Sequence, residues 1–302
     1  MKQFLMSLIV SGAVLTAAEP LPIVTGNTVV QDIVTVIGGE QVTAGCLLQA
    51  GVDPHGYQPV PADVKRIAAA KLVVINGLGF EGWFEGLAKE AQFGGTVVTA
   101  TAGLKPLAMD EEHDHGHDHA GHDHGHGEVA DPHAFNSIAR GVRYAENIRD
   151  ALIAADAAHA ELYRARAQAY ISELRAADAW AKQQVATVPK AQRKIVTNHD
   201  ALQYFAVDYG FTVLAPNTAL EDSQPSAKDL AAIVEFIRKE GVKGVFLEFG
   251  KNEKVVEQIA QEAGVKVGEE LYLDGLGAPG TPAATYIGAF KHNVTAIVSA
   301  LR

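Results

Sequence analysis

Histidine is the residue type in this chain best suited to chemistry, and its twelve copies fall into two sets. Seven of them, His113, His115, His117, His119, His122, His124 and His126, crowd between Asp110 and His133, interleaved with Asp114, Asp118, Asp123 and several glycines. No periodicity in that tract gives a helix or strand an apolar face, so it cannot pack into a core. Its composition reads as metal-binding. The other five, His55, His133, His159, His199 and His292, are dispersed. Three of these follow turn or strand-end signals, in Asp53-Pro54-His55, Asp131-Pro132-His133 and Asn198-His199-Asp200. His159 and His292 sit inside helical patterns and read as solvated surface residues.

Neutral imidazole is a borderline donor suited to Zn²⁺, at a bond length of about 2.0–2.1 Å. Three imidazoles and one carboxylate complete a tetrahedron around a divalent cation and leave one net positive charge. Asp274, in the glycine-rich run Leu273-Asp274-Gly275-Leu276-Gly277, is the best-placed loop acid to supply the carboxylate. Ligands at 55, 133, 199 and 274 would lie 78, 66 and 75 residues apart. That is far from the close spacing of a zinc finger, so a large fold must bring them together. Taken singly, each histidine reads equally as a hydrogen-bonded structural residue. The two Asp-Pro-His tripeptides favour a ligand at His55 and His133, because proline fixes the backbone just ahead of each imidazole.

Alternating strand and helix signals supply the loops that would carry these residues. Strands are expected at 21–25, 41–48, 72–75 and 96–99, with helices at 28–37, 61–70 and 83–92 between them. After His133 the pattern changes. Residues 136–187 hold no proline and one glycine, Gly141, and are dense in good helix formers, which predicts helices over 136–154 and 157–187. The alternation then restarts, with strands at 194–197, 212–215, 242–248 and 265–267 and helices at 201–209, 227–240, 253–263 and 284–301. The fold expected is α/β: two lobes with mostly parallel sheets flanked by helices, joined by one long helix. The divisions are a signal peptide at 1–18, an N-terminal lobe at 19–155 with a mobile His-rich loop at 110–130, a linking helix at 156–187, and a C-terminal lobe at 188–302. In such sheets, ligands bind beyond the carboxyl ends of the strands, where the three histidine-bearing loops would converge.

Charge and compartment narrow the function. The chain carries a net charge of −11. Residues 110–131 hold eight acidic and no basic residues, so the rest of the chain stands at −3. A nearly neutral body without a basic run excludes nucleic acid as a partner. Lys2, the apolar run Phe4 to Val14 and the small residues ending at Ala18 have the form of a secretory signal peptide, too short to span a membrane. No other stretch approaches the roughly 20 apolar residues of a span. The single cysteine, Cys46, reads as a small buried hydrophobe.

Several segments carry a resemblance. GVDPHGYQPVPADV (51–64), AKLVVINGLGFEGW (70–83), the second DPH (131–133), TNHDALQYFAVDYG (197–210), QPSAKDL (224–230) and FLEFGKNEKVVEQIAQEAGVKV (246–267), in this order and spacing, resemble the metal-binding components of bacterial zinc or manganese ABC importers, the cluster A-I substrate-binding proteins. The resemblance spans nearly the whole mature chain. It implies two lobes bridged by a rigid helix, with one metal held in the cleft by His55 and His133 from the first lobe and His199 and Asp274 from the second. It implies a periplasmic monomer whose partners are a zinc ion and the membrane permease of an ABC importer, and it implies no enzymatic activity. Members similar to the manganese importers carry glutamate where this chain has His199. Nitrogen in place of oxygen favours Zn²⁺ on softness. The His-rich tract is likewise a zinc-type feature, an auxiliary collector of metal. Gly275 stands where relatives often place a serine. Glu248 reads either as a carboxylate orienting a bound imidazole or as a surface acid at a strand end. Two other functions fit the composition: a zinc hydrolase with an open coordination position, which lacks an HExxH motif here, and a zinc storage protein built on the tract. Metal release is expected to involve the loop 271–280, on account of its glycines.

Overall fold

The computed structural model describes residues 19–109, 129–197, 199–214, 227–251 and 253–302. The expected signal peptide and all seven tract histidines, His113 to His126, lie outside the described residues. The first lobe alternates β1 (Leu21–Thr25), α1 (Thr28–Gly38), β2 (Val42–Cys46), α2 (Pro61–Ala69), β3 (Leu72–Ile75), α3 (Phe84–Glu90) and β4 (Thr96–Thr99). Its strands are parallel in the order β2-β1-β3-β4. Two helices follow, α4 (Ile138–Ala155) and the 27-residue α5 (Ala160–Ala186). The second lobe repeats the alternation with β5 (Lys194–Val196), α6 (Gln203–Tyr209), β6 (Thr212–Leu214), α7 (Ala227–Glu240), β7 (Gly244–Val245), α8 (Glu253–Ala263), β8 (Lys266–Val267) and α9 (Tyr286–Leu301). Its strands are parallel in the matching order β6-β5-β7-β8.

Local chemistry explains these elements. The runs LPIVT and LVVI are buried on both faces, as sandwiched parallel strands require. Helix α1 starts where Asn27 Oδ1 accepts the Val30 amide at 3.0 Å, and it buries Val29, Val30, Ile33, Val34 and Ile37 along one stripe. Helix α5 buries Tyr163, Ala167, Tyr170, Ile171, Leu174, Ala177, Ala181 and Val185. These side chains belong to one core that also takes in α1 and α4 of the first lobe and α6 and α9 of the second. The long helix is therefore packed against both lobes along its length.

One strand is shorter than its sequence suggests. The run 242–248 was expected as a single strand, yet only Gly244–Val245 pairs with β8. Beyond it the chain changes partner: the Leu271 amide donates to Leu247 O and the Phe249 amide to Leu271 O, both at 2.8 Å, with a parallel bridge between Glu248 and Leu271. The switch brings the end of β7 up to the loop that carries Asp274.

Candidate metal centre

Each of the four dispersed candidates sits beyond the carboxyl end of a strand. His55 follows β2, His133 follows β4 by way of the 100–132 segment, His199 follows β5, and Asp274 follows β8. All four meet between the lobes, with one donor atom from each within 4.8 Å of the others. His55 Nε2 lies 3.2 Å from His133 Nε2, and His199 Nε2 lies 3.2 Å from Asp274 Oδ1. The same Asp274 oxygen is 3.6 Å from His133 Nε2 and 3.8 Å from His55 Nε2. A tetrahedral ion with bonds of about 2.0–2.2 Å needs ligand-to-ligand edges of about 3.3–3.6 Å. These four of the six edges stand close to that range, and the Nε2 atoms of all three imidazoles belong to the cluster. His159 and His292 are elsewhere. His159 Nδ1 pairs with Asp156 Oδ2 at 2.6 Å, and His292 Nε2 with the carbonyl of Glu270 at 2.8 Å, so His292 is a half-buried tie rather than the solvated residue expected.

The supports behind the donors differ. His133 is 1% exposed, and Asp131 Oδ1 is 2.9 Å from both its amide and its Nδ1. The carboxylate thus fixes backbone and ring together, presenting the opposite nitrogen inward. The Asn76 side chain donates to Pro132 O at 2.9 Å and accepts from Tyr144 at 2.6 Å. Buried Glu81 in turn accepts the amides of Asn76 and Gly77. His199 is braced by Glu248, whose Oε1 accepts the His199 amide at 3.0 Å while Oε2 lies 2.5 Å from Nδ1. Glu248 is 2% exposed, which settles its position: it is a buried carboxylate against the ring, not a surface acid. Asn136 ties the two C-terminal loops together, donating to Ala201 O at 3.0 Å and Leu273 O at 2.9 Å.

Burial opposes charge on both His199 and Asp274, yet each holds the other ionised. The carboxylates of Asp274 and Glu248 raise the His199 imidazole well above its usual range. His199 in turn keeps the Asp274 carboxyl well below the usual carboxylate range, against burial. The negative surroundings that favour a proton on His199 are the same ones that would favour a cation there. The glycines beside Asp274 are there for close contact. A Cβ at Gly275 would meet Thr28 Oγ1 at 2.9 Å, and one at Gly277 would meet Thr281 Oγ1 at 2.8 Å. The backbone there is pinned by Leu276 N donating to Thr28 Oγ1 and Gly277 N to Ala283 O.

Asn76, Glu81, Asn136, Asp131 as a ring partner, and Lys251 were not singled out from the sequence as part of the site. Only Asp131 carried a local signal: an Asp two residues before a His makes an Asx turn, and both Asp-Pro-His tripeptides use it, each with a His amide to Asp Oδ1 distance of 2.9 Å. No described helix is long and apolar enough to cross a membrane.

The chain is similar to known metal-binding proteins. The chain is 32% identical over 284 residues to the manganese-binding lipoprotein MntA of Halalkalibacterium halodurans, covering 94% of this chain and 89% of that protein. It is 33% identical over 282 residues to the iron-binding protein YfeA of Yersinia pestis, covering 93% and 86%. Its fold superimposes on the periplasmic zinc-binding protein TroA of Treponema pallidum with a TM-score of 0.83 at 26% identity, covering 93% of this chain and 99% of that one. Residues 23–300 match the family described as zinc-uptake complex component A, periplasmic. With three imidazoles, two of them buried, and a carboxylate converging between two parallel-sheet lobes, the chain belongs to this ZnuA family of periplasmic metal-binding components of uptake complexes.

Proposed function

We propose that this protein binds Zn²⁺ through His55, His133, His199 and Asp274 and delivers it to the membrane permease of an ABC importer. The observation that carries this reading is the convergence of three inward-facing imidazole nitrogens and one carboxylate oxygen within 4.8 Å. The named relatives bind manganese, iron or zinc, so the choice of metal rests on the donors of this chain. Three nitrogens in four donors suit Zn²⁺, whereas manganese prefers oxygen-rich, higher-coordinate surroundings. Zinc is cargo here, so the site must bind and also let go. The chain acts as a monomer; residues 1–18 are its export signal, and 19–155, 156–187 and 188–302 are its two lobes with the linking helix between. The seven tract histidines, His113 to His126, are weaker auxiliary ligands that raise the local zinc concentration near the cleft by charge and valency.

Crystals grown with equimolar zinc and manganese test the assignment. Anomalous scattering is expected to place zinc on the four named donors; manganese there, or zinc bound by other residues, would refute it. His199→Ala and Asp274→Ala are each expected to remove tight binding in competition titrations. Deleting residues 113–126 is expected to leave one tight site and abolish the weaker ones. Loss of the tight site would move the function to the tract and support the storage reading.

A further inference from the structure

His55 is held unlike the other histidines of the site. Asp131 and Glu248 each brace both the amide and the ring of their histidine, but Asp53 braces only the amide of His55, at 2.9 Å. Among the described residues the His55 ring has no carboxylate on Nδ1, and its side chain is 39% exposed. The free oxygen of Asp53 points instead to the other lobe, where Lys251 Nζ lies 2.5 Å from Oδ2. The Lys251 side chain is only 14% exposed, well covered for an ion pair on a loop.

The loop that carries Lys251 is the one that braces His199. Glu248 O accepts the Lys251 amide at 3.0 Å, closing a four-residue turn. Inside the turn, Gly250 has φ +86, and a Cβ on it would stand 2.7 Å from Gly51 O in the His55 loop. The two lobes therefore meet here backbone to backbone, and only glycine satisfies both the left-handed conformation and the approach.

We infer that the Asp53–Lys251 pair is an interlobe latch that positions His55 and sets how fast metal leaves the site. The latch rests on the reading of His55 as a ligand. One turn then governs a ligand on each lobe, His199 through Glu248 and His55 through Lys251. Lys251 is a positioning residue, acting on the metal through Asp53 and the His55 backbone. Electrostatics alone make the opposite prediction: an ammonium near the bound cation repels it, so removing that charge would slow release. The sign of the effect separates the two roles.

Zinc release into excess chelator, followed by stopped flow on the full mature chain, tests the latch. Lys251→Met and Asp53→Asn are each expected to speed release about fivefold, the upper range for partly covered ion pairs. The double variant should be no faster than the singles, and Lys251→Arg should stay near the parent rate. The visible absorption of bound Co²⁺, which reports coordination geometry, should change in Lys251→Met and return in Lys251→Arg. Release that is unchanged or slower in Lys251→Met, or effects that add in the double variant, would overturn the latch. His55→Ala separates the two levels of inference. If it retains parent zinc affinity, the ligand assignment of His55 falls; if it loses tight binding while Lys251→Met releases at the parent rate, only the latch falls.

Discussion

Glu248 shows what a single residue contributes to such a centre. Its two oxygens accept from two donors of His199, the amide and the ring, so both must be acceptors. Glutamine keeps the shape but offers one oxygen and one NH₂, which sets a donor against a donor. Glu248→Gln is therefore expected to weaken zinc binding by about 10–100-fold, as loss of a ligand-orienting partner does. A competition titration measures this, and parent affinity would show that the carboxylate is dispensable. The proton on His199 also makes binding pH-dependent. Asp274 and Glu248 raise its imidazole well above the usual range, which favours the protonated ring in the metal-free protein. On the proposed reading the incoming zinc displaces that proton, and apparent affinity should fall as pH falls, by about tenfold per unit for each proton released. The fall should continue above the ordinary histidine range. Titrations from pH 8 to pH 6 that give a constant affinity would contradict the proton-for-metal exchange.

Among the elements, α5 does most to hold the lobes in register. Its buried stripe faces α1 and α4 on one side and α9 and α6 on the other. Leu174 lies fully buried on that stripe, and Leu174→Ala should cost about 2–5 kcal/mol in denaturant unfolding through the cavity it leaves. A loss under 1 kcal/mol would indicate that the stripe repacks readily. The loop 271–280 behaves differently from what its glycines suggest. Gly275 and Gly277 admit Thr28 and Thr281, and the backbone is held by hydrogen bonds on both sides of Asp274. The loop that carries His55 is the more exposed and relies on a charge pair to the opposite lobe. In keeping with the proposed latch, release would begin at the His55 loop.

At the scale of the molecule, the centre draws its donors from both lobes, so an ion bound there adds a crosslink between them. Binding to the folded chain alone stabilises it by about 4 kcal/mol at a free zinc concentration 1,000 times the dissociation constant. Zinc should raise the melting temperature of the parent strongly and that of Asp274→Ala little. A shift of equal size in both would place the stabilising ion elsewhere. The same two-lobe construction suits a carrier. The shared core and the ion pair between Arg140 and Asp208, at 2.9 Å, tie the lobes together, and on the proposed reading the metal would be exchanged by small movements near the ligands.

Much of this was legible in the chain. The alternation of Val/Ile-rich runs with amphipathic stretches, and the proline-free segment after His133, announced parallel sheets and a long helix because periodicity and propensity are local properties. The two Asp-Pro-His turns announced themselves for the same reason. Helix ends and the length of β7 were less legible. A strand ends where its neighbours stop offering partners, and the partner of Glu248 is Leu271, 23 residues on. That His55, His133, His199 and Asp274 share one centre was a choice among readings in the sequence, since each histidine read equally as structural. Tertiary structure alone decided their distances, the burial of Glu248, and the reach of Lys251 across 198 residues to Asp53. Donors in a metal centre must agree in position to within tenths of an ångström, and only the packed core between distant segments sets distances that fine.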